Sequence, residues 1–135
     1  MSNVCASYKT TADVYFPQNE FYSEVIRPRD AFYNDVDASE AEPWIADLRP
    51  QANAALAGKV RYAAWKHVPC IYVDCTQSVC VPVPVKELML AAVQKEAKGP
   101  MLIKKLDAGH TPMIRYQAEL VGIIEEAAGW NRRRS

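Results

Sequence analysis

Two short stretches hold most of the residues that could do chemistry. One is Asp74-Cys75-Thr76-Gln77-Ser78; the other is Asp107-Ala108-Gly109-His110-Thr111-Pro112. Each follows an apolar run that reads as a strand. In open parallel sheets, ligands and reactive groups gather at the carboxyl ends of strands, so the two stretches are expected side by side. His110 has the side chain suited to general base work near neutral pH, because an unperturbed imidazole titrates near 6.5. Asp74 stands at the end of the first strand, at the same edge of the sheet. His67 lies before that strand, at the wrong end of the sheet.

Cysteine offers two further chemistries. Cys70, Cys75 and Cys80 recur every five residues, with His67 nearby. Zinc sites favour pairs two to four residues apart, and on a strand Cys70 and Cys75 point to opposite faces. The spacing therefore argues against a metal centre, and no motif implies a cofactor. Cys75 beside His110 could act as a lone nucleophile. With no secretory signal, the four cysteines are expected as free thiols.

The elements that must position these residues are legible from spacing. Val68–Cys75 has strand formers without helical period, and its continuous apolar character suits a strand buried on both faces. Residues 83–98 read as a helix, with Val85, Leu88, Met89, Ala92 and Val93 on one face and Lys86, Glu87, Lys95 and Glu96 opposite. Gly99-Pro100 stops it. Met101–Leu106 is a second strand. Gln117–Ala128 is a final helix with Leu120, Ile123, Ile124 and Ala127 on its apolar face and Gly129 as its cap. Strand, helix, strand, helix makes a right-handed parallel unit.

Upstream the pattern is weaker. Residues 1–36 are dense in aromatics (Tyr8, Tyr15, Phe16, Phe21, Tyr22, Phe32, Tyr33), expected to pack on a neighbouring surface. One short helix is expected around 19–26. A helix capped by Asp37 or Ser39 runs to about Arg49, with Trp44, Ile45 and Leu48 forming its apolar face and Pro43 near its start. Gln51–Ala57 and Val60–His67 read as two more short helices.

The 135 residues carry 16 basic and 16 acidic side chains, for a formal net charge of zero. That balance argues against nucleic acid and anionic membranes as partners. The hydrophobic fraction of 50% is that of a folded domain, not a disordered chain. No apolar run approaches the roughly 18 residues of a membrane span, and no signal peptide is read, so a cytoplasmic location is expected. Arg132–Arg134 reads as a solvated basic tail.

The ordered series FYNDV, LRPQ, AAWKHVP, strand, helix and GHTP resembles the last third of α/β-hydrolases, over roughly residues 30–128. It is most similar to the esterase and hydroxynitrile-lyase-like branch with its many fungal members. The resemblance implies a partial α/β-hydrolase-like fold. A helical, aromatic-rich lid remnant (1–66) is followed by a β-α-β-α unit with parallel strands (67–129) and a basic tail (130–135). It places His110 on the family's catalytic base. The family's acid position, just after Thr76-Gln77, holds Ser78, which leaves Asp74 as the candidate acid. The nucleophile elbow requires Gly-x-Ser-x-Gly. The glycines are 58, 99, 109, 122 and 129, no two of them four apart, so no elbow can be written. The oxyanion loop is missing too; by the resemblance both belong to an N-terminal half.

The sequence thus implies a truncated α/β-hydrolase-like protein that is not an autonomous serine hydrolase, with a link to fungal secondary metabolism by family analogy. Three alternatives stay open. The chain acts as a hydrolase or lyase with a complementing chain or as a homo-oligomer. It is a small accessory protein whose aromatics bind a hydrophobic metabolite. Or His110 and a carboxylate transfer protons without a covalent step.

Overall fold

The computed structural model describes residues 16–17, 20–99 and 101–132. Its centre is the expected parallel pair. Strand β4 (Cys70–Cys75) lies beside β5 (Met101–Leu106), in register from Cys70 opposite Met101 to Cys75 opposite Leu106. The crossover between them is helix α4 (Val83–Glu96), which opens on Pro82 and Pro84, where absent N–H groups cost nothing. The chain therefore has a mixed helix-and-strand, partial α/β fold.

Before this unit come three very short strands: β1 (Phe16–Pro17), β2 (Tyr22–Glu24) and β3 (Gln51–Ala52). They pair antiparallel in the order β1-β2-β3. Helices α1 (Pro28–Phe32), α2 (Ala38–Ala46) and α3 (Asn53–Ala57) lie among them in sequence. After β5 come the one-turn helix α5 (Pro112–Arg115) and the long α6 (Gln117–Arg132). No helix among the described residues is long and apolar enough to cross a membrane.

Several expectations are corrected. The helix expected around 19–26 is absent; β2 occupies that stretch. Its middle residue, Ser23, is buried and donates to Asn53 Oδ1 at 2.6 Å, a long-range bond that overrides local pattern. Residues 60–67 form only a 3₁₀ turn, Ala64–Lys66, because Val60 and Tyr62 stay exposed and find no surface to bury. Gly129 does not cap α6, which runs on to Arg132. A glycine cap needs a positive φ, and no described glycine has one. Of the basic tail, Ser135, Arg133 and Arg134 lie outside the described residues, as do Tyr8 and Tyr15 of the aromatic set.

Packing divides the expected apolar faces. Tyr33, Val36 and Ala41 form one buried cluster, joined by Phe32, Ile45, Leu48 and Ile114. A second gathers Val25, Phe32 and Cys80 around Ala31. Of the α2 face only Ile45 and Leu48 pack inward; Trp44 is 51% exposed. Of the early aromatics, Phe32 and Tyr33 pack, whereas Phe21 and Tyr22 are exposed. β4 is half-buried along its whole length instead of covered on both faces.

The sharpest departure is Lys86. Spacing puts it on the polar side of α4, yet it is 7% exposed, while Leu88 and Met89 of the apolar side stand open to solvent. Its Nζ donates to Asp74 Oδ1 at 2.7 Å and to the Cys75 carbonyl at 3.2 Å. A buried charge must be paired, and Asp74 at the end of β4 supplies the counter-charge. The ion pair ties the first turn of α4 to the end of the strand.

Candidate functional site

The two chemistry-bearing loops meet, as the strand-end rule requires. Thr76 N–H donates to the Leu106 carbonyl at 2.9 Å, and Gln77 N–H to the Ala108 carbonyl at 3.0 Å. These bonds extend the β4–β5 ladder past the strand ends. Asp107 Oδ1 then accepts from Gln77 Nε2 at 2.7 Å and Thr76 Oγ1 at 2.9 Å. Those two donors, Gln77 first, hold its carboxyl below the usual aspartate range.

His110 sits in the middle of this junction. Its Nδ1 lies 3.1 Å from Ser78 Oγ. Its ring stacks on Phe32, with centroids 5.4 Å apart and planes 21° from parallel. Burial pushes the imidazole below its ordinary pKa, so the ring is neutral at pH 7 and able to accept a proton. Asp74 does not support it. That carboxylate turns to Lys86, and the side chain at hydrogen-bond distance from His110 is Ser78.

The segment Phe32–Asp37, between α1 and α2, clamps the second loop. Asp35 Oδ2 accepts from the Gly109 N–H at 2.5 Å. Thr111 Oγ1 donates to the Phe32 carbonyl at 2.8 Å, and Asn34 Nδ2 to the Gln77 carbonyl at 2.8 Å. Arg115 Nη1 reaches the Asp35 carbonyl at 3.0 Å and the Asp37 carboxylate at 3.6 Å. Gly109 is required by this close approach. A Cβ there would fall 2.6 Å from Asn34 Oδ1 and 2.5 Å from the Asp35 carboxyl carbon. Asp35 Oδ1 is buried with no hydrogen-bond partner.

Local pattern marks neither this clamp, beyond the FYNDV motif, nor the burial of Lys86. The clamp contacts join positions 43 to 80 apart, and Lys86 meets Asp74 across 12 positions and the turn from strand to helix.

The cysteine chemistries gain little. Burial, reinforced by Asp74 and Asp35 and partly offset by Lys86, raises the Cys75 thiol above its ordinary pKa. A raised pKa leaves the weakly nucleophilic thiol form at pH 7. Burial also raises the Cys80 thiol. Among the described residues no group of three or more His, Cys, Asp or Glu side chains could hold a metal ion. His67 stacks on Tyr62 before β4, at the opposite end of the strand from the Asp74–Ser78 loop.

The depressed His110 pKa makes a solution prediction. The folded state disfavours the imidazolium, so between the folded pKa and about 6.5 the unfolded chain binds more protons. Stability from this group is complete above about 6.5 and is lost as pH falls through the folded value. Melting temperature measured by circular dichroism should therefore drop on acidification below 6.5. His110→Gln should flatten part of that drop; an unchanged slope would place its origin elsewhere.

No family model matches the chain, and no solved structure matches it. Over 101 residues, 75% of the chain, it is 28% identical to the protein described as "Alpha/beta hydrolase nvfD" of Aspergillus novofumigatus. The match covers 39% of that relative, so the chain spans about two fifths of its length. This similarity, with the parallel strand pair and its crossover helix, supports an α/β-hydrolase ancestry for the chain.

Proposed function

We propose that this chain is a non-autonomous α/β-hydrolase-like protein that carries the histidine end of a hydrolase site and no nucleophile of its own. The observation that carries this reading is the junction of the two strand-end loops. His110 stands at the carboxyl end of β5 as the base, with Ser78 beside it where the resemblance expects an acid. A serine hydroxyl can orient an imidazole. It cannot offset the charge the ring gains on taking a proton. Asp74, the other candidate acid, is already held by Lys86. In this reading residues 1–66 are the lid-like part, and their Phe32–Asp37 clamp fixes the His110 loop; residues 67–129 are the hydrolase-like core. The setting in fungal secondary metabolism rests on the resemblance to fungal members and on the fungal source of the relative.

A second reading is favoured by one further observation. Leu88 and Met89 of α4, Val121 and Ile124 of α6, and Leu102 and Ile103 of β5 all stand exposed. Faces of that kind suit cover by a complementing chain, which would also bring the missing serine. Fluorophosphonate labelling of the purified chain tests the first reading: no serine should be labelled. Stoichiometric labelling of any serine would overturn it. Labelling of a second polypeptide that co-purifies with the chain would favour completion by a partner.

A further inference from the structure

We propose that a hollow between α2 and the α5–α6 corner binds a small apolar molecule bearing a positively charged nitrogen. The hollow measures about 350 Å³, at the small end of the roughly 300–1,000 Å³ typical of ligand sites. Tyr33, Trp44, Met113 and Ile114 wall it, and Glu40 and Gln117 line it as well. His110 does not line it, so the inference does not rest on the hydrolase reading.

Two features point to a ligand. Trp44 and Met113 are 51% and 54% exposed at this concavity. Large apolar side chains left open around a hollow are a common mark of a binding site. A tryptophan face and a thioether are also adaptable contacts for apolar rings. Tyr33 is buried, and burial raises its phenol above the ordinary pKa, so this wall is uncharged at neutral pH.

The charge of the ligand follows from Glu40. It lies four residues before Trp44 on α2, so the two share a helix face. No cation pairs with it among the described residues. The neighbouring Arg115 is already engaged by Asp35 and Asp37, and no lysine or arginine lines the hollow. A place in the first turn of α2 favours a carboxylate and softens its field, so the carboxylate contributes a modest attraction. Tryptophan and tyrosine faces add a cation–π attraction of the same sign. An anion finds no basic side chain here and faces the Glu40 carboxylate, with only the first turn of α6 at Gln117 in its favour. A neutral molecule gains the walls alone. An ammonium on an aromatic or alicyclic body uses the carboxylate and the apolar walls together.

The test uses three soluble probes of similar size: phenethylammonium, 2-phenylethanol and 3-phenylpropionate. Each is titrated into the intact chain while the Trp44 indole N–H is followed by NMR, assigned against Trp44→Ala. Phenethylammonium should bind at least about fivefold more tightly than the alcohol, with the carboxylate weakest. Glu40→Gln should bring the ammonium down to the alcohol's affinity and leave the alcohol unchanged. Trp44→Ala, followed instead at the Gln117 amide signals, should weaken both. Equal or tighter binding of the alcohol or carboxylate, or no movement of the Trp44 signal with any probe, would overturn the proposal. Glu40 is exposed, so its variant should fold even where Trp44→Ala does not. A catalytically silent chain with the expected probe order would leave this site standing, and an active chain without it would not rescue it.

Discussion

Ester turnover by the purified chain should equal that of buffer, and His110→Ala should leave it there. Triad residues act as a unit, and loss of the nucleophile alone costs about 10⁶ in kcat in a subtilisin-type enzyme. Here no elbow exists to hold a serine. His110, the proposed base, is neutral and half-buried, and its partner is a hydroxyl. Asp74 is too well satisfied to change roles, since Lys86 donates to it at 2.7 Å from a buried position. The outcome is a p-nitrophenyl ester assay at background for both proteins. Should turnover stand above background, His110→Ala must lower it by at least about a hundredfold, the usual span for an acid–base group. Activity that survives that change and disappears in Asp74→Asn or Cys75→Ala would move the chemistry to the first loop.

The difference between what could and could not be read in advance has a physical basis. β4, α4, β5 and α6 were legible because each is long enough for its apolar period to show. Their parallel arrangement followed from chirality, and the meeting of the Ser78 and His110 loops from the strand-end rule. β1, β2 and β3 are two or three residues long, too short for any alternation to register. Lys86 could not be read as buried. Periodicity assigns a lysine to water by default, and only the position of Asp74 in three dimensions reverses that. The Phe32–Asp35 clamp is likewise invisible to local rules. It joins positions 74 and 79 apart in sequence. What the pattern did offer was Gly109, and the steric reason for it is the Asp35 carboxylate pressed against its amide.

The chain should also self-associate as its concentration rises. Its parallel sheet has only two strands, and both outer edges are unpaired among the described residues. Unpaired edges are templates for further pairing. The two strands differ in how they meet that hazard. β5 carries Lys104 and Lys105, charges of the kind that protect an edge, whereas β4 reads Cys-Ile-Tyr-Val before Asp74. β4 is therefore the edge more open to pairing. The flanking helices add to the drive. Leu88 and Met89 on α4 and Val121 and Ile124 on α6 are each more than half exposed, and no large side chain is fully buried among the described residues. A formal net charge of zero removes the repulsion that would keep copies apart. Sedimentation velocity over a hundredfold range of concentration should show a rising average mass. The double variant Leu88→Glu, Ile124→Glu should shift that mass toward the monomer while leaving the melting temperature close to its original value, because neither side chain contributes to the buried clusters. A monodisperse monomer at every concentration, melting in one cooperative step, would sink the idea. It would mean that the clusters around Tyr33 and Ala31, with the Lys86–Asp74 pair, suffice to hold the fold while these apolar faces stay wet.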